Sequence, residues 1–301
     1  MNDLKNSAFS IKKIRNVFTP YLFVLPAFLI YGTLVFYPIL YSMVLSLYKW
    51  DGISAIKEFV GIQNYVYILT KDPVFYLALV NNLKWTIASI IIPVTLGLFF
   101  ALIFNSNKKG FSVFRGAIYF PATLSLVMIG NIWVWVYDPN LGLISNLTSK
   151  ITSGSVDFNW LSNPSHALYY VVIAASWGYA GTCMLMFMAG LQSIPTEIFE
   201  SAKIDGVNRL QKLVYITLPL IKNTMNVVLV TTFVGAFKVF DIIFVMTNGG
   251  PGRATNVLAS WSYAQVFTYH DMGRGSAIAW VLALIVFITS IISNRISSKD
   301  Q

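Results

Sequence analysis

The chain is 301 residues long, 56% hydrophobic and 11% charged, with a formal net charge of +9. Soluble domains carry roughly one quarter charged residues, so a water-soluble globular protein is excluded. The single cysteine, Cys183, rules out an internal disulfide, and its apolar surroundings mark it as a small buried hydrophobe.

A helix that spans a bilayer needs about 20 mostly apolar residues. Six stretches qualify, which predicts an all-α integral membrane fold of six transmembrane helices. A basic tail at residues 1–18 precedes a membrane domain at 19–295, and a short tail follows at 296–301. The first span is expected over Pro20 to Tyr48, the second over Trp85 to Phe104 and the third over Gly116 to Tyr137. The fourth covers Leu168 to Leu191. The fifth, Asn223 to Met246, holds Lys238 and Asp241, and the sixth, Ser276 to Ser293, ends before Arg295. Pro20, Pro26, Pro38 and Pro93 predict kinks, because neighbouring helices re-satisfy the backbone groups that proline frees. The first stretch is too long and too interrupted by proline for a signal peptide, and it leaves room for an interfacial helix before the span.

The distribution of the basic residues gives an orientation and argues against nucleic acid as a partner. Taking alternate loops, thirteen Lys and Arg fall on one side, including Lys5, Arg15, Lys108, Lys203 and Arg209. Seven fall on the other, including Lys49, Lys71, Arg253 and Arg274, and Lys238 is left within the membrane. Cytoplasmic loops carry the Lys/Arg excess, so both termini and the polar loop after the fourth span are expected in the cytosol. The longer loops at residues 49–80, 138–166 and 247–275 are then outside. The last opens with the turn cluster Thr247-Asn248-Gly249-Gly250-Pro251-Gly252, which must end the fifth helix.

The polar loop, residues 194–219, reads IPTEIFESAKIDGVNRLQKLVYITLP. Thr196 is placed to cap a short helix, with Glu197 and Glu200 suited to its positive end. Gly206 supplies the φ > 0 position that stops a helix, and Asn208 with Gln211 forms a capping-box pattern for a second helix. Pro219 limits that helix. The result is helix, glycine elbow, helix, lying along the membrane, with Ala202 the small residue that would let another protein approach closely.

Glu200-Ser201-Ala202, Asp205-Gly206 and Ile216-Thr217-Leu218-Pro219 resemble the EAA loop of ABC importer permeases in composition and spacing. Trp177-Gly178, Gly190-Leu191-Gln192, Phe240-Asp241 and the Thr247–Gly252 cluster extend the likeness to the carbohydrate branch, specifically the first channel subunit of maltose-type systems. Ser201, where alanine is usual, and Val207 are small departures. The resemblance implies a type I importer permease in the bacterial inner membrane, with a cytosolic coupling helix. Glu200, Ser201, Ala202, Asp205 and Gly206 would then dock the ATPase. The implied partners are a second homologous permease, a cytosolic ATPase dimer that binds ATP and Mg, and an extracytoplasmic sugar-binding protein. The chain itself would carry no cofactor.

Trp177 lies nine residues into the fourth span, roughly 13 Å deep, whereas an aromatic belt sits at the interface. Ser176, Gly178, Tyr179 and Thr182 surround it with small or hydroxyl-bearing groups. This is either a sugar-binding face or a helix-packing face, since small residues and hydroxyls also join spans. The resemblance aligns Trp177, Gly178, Tyr179, Thr182, Thr232 and Ala236 with sugar contacts. Lys238 and Asp241 are three apart, on one face of a continuous helix, and near its outer end. An outer gate or a structural pair suits them better than direct sugar binding. His166 and His270 lie in outside loops without metal-ligand spacing. With no Walker A motif, nucleophile elbow or H-E-x-x-H, the chain is expected to be a channel subunit and not an enzyme. The alternatives are an ABC permease for another solute, such as glycerol phosphate or an amino acid, and an ion-coupled secondary transporter, which would usually carry an internal repeat.

Overall fold

Proline and serine set where the apolar runs bend. The computed structural model describes residues 19, 21–106, 108–152 and 159–298. The expected basic tail, Pro20 and residues 299–301 lie outside them. Helix α1 runs Tyr21–Leu45 as one element, with no separate interfacial helix among these residues. It widens into a π turn at Gly32–Phe36, where Tyr37 N–H donates to Gly32 O. Pro38 follows, and a proline ring clashes with the carbonyl four residues earlier, a clash that the wider turn relieves. A short hairpin, β1 (Tyr48–Lys49) and β2 (Glu58–Phe59), pairs antiparallel with Tyr48 opposite Phe59. Helix α2 (Gln63–Thr70) leads to Asp72, which caps α3 (Pro73–Phe104) by accepting from Val74 and Phe75 N–H.

The expected third span is bent. Helix α4 (Phe111–Tyr119) runs on through a 3-10 turn to Thr123, and α5 (Leu126–Val136) starts afresh at 102° to it. Ser125 is the cap, its Oγ accepting from Met128 N–H at 3.2 Å. Pro121 in the turn and serine ahead of an apolar run are both stop-and-start signals, overridden in the sequence reading by the continuous hydrophobicity. After α6 (Leu143–Thr152) comes α7 (Ala167–Gln192), matching the expected fourth span within one residue at each end. Beyond it lie α8 (Thr196–Ile204) and α9 (Arg209–Leu220), the latter meeting α10 (Lys222–Phe237) at 71°. Then follow α11 (Asp241–Thr247), α12 (Leu258–Tyr263) and α13 (Met272–Ser298). The short tail expected from residue 296 is helical as far as Ser298. Among the described residues, four helices are long and apolar enough to cross a membrane, or six if each bent pair is one span.

Helix α7 is the hub. Its apolar window is 61% buried, against 22% for α3 and none for α1. It supplies Val171, Val172 and Ala174 to one core cluster with Ile129, Ala236, Ile242 and Ile243, and Met184 and Phe187 to a second with Val94, Ala101 and Val228. A third cluster joins α2, α3, α12 and α13 around Ile68, Phe75, Trp261 and Ile278. Helix α1 is held from the side, with Trp280 Nε1–H donating to Ser42 Oγ at 3.1 Å.

The expected fifth span also breaks, and the reason lies on another helix. Asn82 of α3 is fully buried. Its Nδ2 donates to Phe237 O at 3.3 Å, and its Oδ1 accepts from Leu258 N–H at 2.7 Å. The neighbouring Asn81 donates to Ala254 O and Asn256 O at 2.8 and 2.9 Å. Two asparagines therefore hold both ends of the excursion 238–257 and take up the backbone groups that the broken helix leaves open. Asn82→Leu is expected to leave two buried backbone groups unpaired, at about 1–3 kcal/mol each. Thermal unfolding of the purified membrane protein should fall by several degrees, and an unchanged midpoint would contradict the clasp.

Candidate coupling elbow and substrate face

The elbow is built from local signals. Helix α8 carries Glu197 in its first turn and Lys203 in its last, each complementing the helix dipole. Pro195, not Thr196, occupies the N-cap, and no side chain caps there. Thr196 is the first helical residue, which corrects the expected cap. The C-terminus is a Schellman closure: Gly206 N–H donates to Lys203 O at 3.3 Å and Val207 N–H to Ala202 O at 3.1 Å. It needs a left-handed residue, and Gly206 has φ +73°. The capping box then forms as the spacing predicts, Asn208 Oδ1 accepting from Gln211 N–H at 2.9 Å and Gln211 Oε1 from Asn208 N–H at 3.0 Å. Lys212 Nζ lies 4.1 Å over the Phe199 ring and ties α9 back to α8.

Glu200, Ser201, Asp205 and Gly206 are exposed on this elbow. Ala202 is 6% exposed and turned inward, where it lines a cleft of about 370 Å³ with Glu197, Asp205, Val207 and Ile216. Ile204 (85%), Leu210 (70%) and Tyr215 (76%) are strongly exposed on the same segment. All three are apolar side chains left outside on a polar loop. The sequence reading missed these three, although an apolar residue directly before Asp205-Gly206 was a usable signal.

The six residues aligned with sugar contacts do not form one cluster. Trp177 is 38% exposed and meets Trp133 of α5 edge-to-face, with ring centroids 6.0 Å apart. Gly178 is buried against Ile129, whose Cδ1 would collide with any Cβ there. Tyr179 turns away toward α10, where Thr232 Oγ1 lies 3.5 Å from its hydroxyl. Thr182 is half-buried. Thr232 and Ala236 are buried, Ala236 within the core cluster that holds Ile129. Two residues apart on a helix is 200° of rotation, so Trp177 and Tyr179 serve different faces. Trp133 was not singled out in the sequence. Its indole Nε1 is buried without a hydrogen-bond partner, beside the Trp177 ring.

Lys238 and Asp241 are both exposed, and no ion pair joins them among the described residues. The helix ends at Phe237 and restarts at Asp241, so the expected common helical face does not exist. They stand instead on the two sides of the break. Among the described residues, no three His, Cys, Asp or Glu side chains gather to hold a metal.

Known proteins share this fold. A solved structure of a bacterial alginate ABC transporter, in complex with alginate pentasaccharide-bound periplasmic protein, superposes with a TM-score of 0.82 at 21% identity, covering 96% of each chain. The probable ABC transporter permease protein YurN of Bacillus subtilis is 35% identical over 93% of this chain and 96% of its own. The arabinooligosaccharides transport system permease protein AraP of the same species is 32% identical over 93% of this chain and 88% of its own. The family of binding-protein-dependent transport system inner membrane components matches residues 93–298. On the fold and on these matches together, the chain belongs to that family and is a membrane-embedded permease subunit of an ABC importer, not an enzyme.

Proposed function

We propose that this chain is one half of the channel of an ATP-driven importer of sugars, most consistent with oligosaccharides. The observation that carries the reading is the elbow at residues 196–220. It is a Schellman-closed helix joined to a box-capped helix, with Ile204, Leu210 and Tyr215 left outside. That is a rigid, partly apolar knob of the kind an ATPase cleft can grip. Closure of two ATPase subunits on ATP would push the elbow and, through the 71° junction at Ile221, move α10. Both termini and the elbow face the cytosol by the charge asymmetry of the loops. A homologous permease covers the exposed Tyr169 and Ile173 of α7 and completes the pathway. An external sugar-binding protein delivers substrate to the outer loops.

The saccharide assignment is supported by the substrate of the arabinooligosaccharide relative and by Trp177 at mid-span. An indole face suits the C–H-rich side of a pyranose or furanose ring, and nearby hydroxyls suit its edges. Affinity purification of the chain from its native membrane should recover a second permease and a P-loop ATPase. Recovery alone or as a self-associated protein would overturn the importer reading. Trp177→Ala should raise the half-saturating sugar concentration about tenfold, the loss of one aromatic contact, with the amount of assembled complex unchanged. Unaltered uptake by that variant would assign Trp177 to helix packing.

A further inference from the structure

We propose that the outer side of this chain carries a binding site for the headgroup of an anionic phospholipid, in the pocket between α2, the β1–β2 hairpin and the start of α13. The pocket has a volume of about 370 Å³, and its charged lining is Lys49, Lys71 and Arg274, with no acid among the lining residues. Gln63 and Tyr67 add polar groups, and Val60 and Val66 give it an apolar wall.

Three packing details bring the cations together. Asn64 Nδ2 donates to Ser46 O at 2.8 Å and Tyr48 O at 2.9 Å, which pins α2 to the outer end of α1. Gly273 lets β1 cross the start of α13, since any Cβ there would collide with Tyr48 O. The Arg274 guanidinium sits 3.7 Å over the Tyr67 ring, its Nε 3.3 Å from Asp271 Oδ2. That leaves its terminal nitrogens to donate elsewhere. Among the described residues, no ion pair is made by Lys49 or Lys71. Glu58 stands opposite Lys49 in the hairpin register without pairing to it.

The height of the pocket selects the occupant. Amphipathic aromatic side chains mark the membrane interface. Tyr41 OH accepts from Lys57 Nζ at 2.6 Å, and Trp280 donates to the adjacent Ser42, so two such side chains, Tyr41 and Trp280, stand at one level. Ser46, whose carbonyl accepts from Asn64 in the pocket wall, is one helical turn beyond Ser42, about 6 Å. The headgroup layer is roughly 5–7 Å deep on each side of the hydrocarbon. A phosphodiester at that level meets three cations, and its acyl chains pass Val66 and Leu69, which are exposed on one face of α2. A guanidinium and ammonium groups make charge-assisted hydrogen bonds to phosphate oxygens.

The inference rests on the permease fold and membrane placement alone, and is independent of the transported solute. The test uses the transporter purified with its partner subunits and exchanged into mixed phosphatidylglycerol–phosphatidylcholine nanodiscs, with retained lipid read by native mass spectrometry. The wild-type complex should retain phosphatidylglycerol selectively. Lys49→Glu/Lys71→Glu should lose about fivefold or more, the worth of at least one cation near an anionic surface, and Lys49→Arg/Lys71→Arg should keep it. Equal unfolding temperatures of these variants in detergent would establish that the charge-reversed chain is folded. Equal retention by wild type and Lys49→Glu/Lys71→Glu would overturn the site. Displacement of the lipid by millimolar inorganic phosphate would assign the pocket to a free anion. Displacement by the external binding protein would assign it to a protein carboxylate. Either result would reject the lipid assignment.

Discussion

Gly206→Pro in the assembled transporter is expected to abolish co-purification of the ATPase while the permease still inserts and is recovered at normal yield. The glycine closes α8 at φ +73°, and its N–H donates to Lys203 O. Proline holds φ near −65° and has no N–H, so both halves of the closure fail. Space is not the obstacle, because nothing lies within 4 Å of where a Cβ would be. Gly206→Ala should therefore weaken the elbow only by the left-handed penalty of about 1–2 kcal/mol and leave partial coupling. The graded pair separates a conformational requirement from a steric one. A Gly206→Pro complex that retains its ATPase and its stimulated hydrolysis would remove the elbow from the coupling mechanism.

The second large effect is expected at Gly97, far from any docking surface. Helices α3 and α7 cross there so closely that an added Cβ would overlap Cys183 Cβ and come within 2.8 Å of Met184 N. One obstacle is main chain inside the most buried span, so relief requires moving a whole helix. Gly97→Val should cost at least about 3 kcal/mol, the upper range for overpacking, and most of the protein should be lost as aggregate on detergent extraction. Cys183→Ala only removes a sulfur atom from the same contact and should cost about 1 kcal/mol. Monodisperse elution and an unchanged unfolding midpoint for Gly97→Val would show that the helices do not cross at this point.

Spans one, two, four and six could be read as apolar runs because the bilayer sets a minimum length that a run either meets or does not. The elbow was legible for a different reason: Gly206, Asn208 and Gln211 act on their own backbone within three or four residues. Local chemistry of that range survives in a sequence. The cap was misplaced by one residue because the chain turns into the helix at Pro195, φ −56° and ψ 137°, so Thr196 is already helical and no side chain accepts from the first turn.

Composition and local pattern suffice for the class, the membrane-spanning segments, the charge asymmetry of the loops and the elbow. Long-range packing sets where the third and fifth spans break and how the polar mid-membrane residues are shared out. The break after Phe237 is stabilised by Asn82, 155 residues away in the chain, and no local pattern records such a partner. Trp177 and Tyr179 are neighbours in sequence, yet one packs on Trp133 and the other reaches Thr232. In a span whose neighbours are apolar on every side, whether lipid or protein, hydrophobic periodicity does not say which face meets which neighbour. Only the packing of α3, α5 and α10 around α7 does.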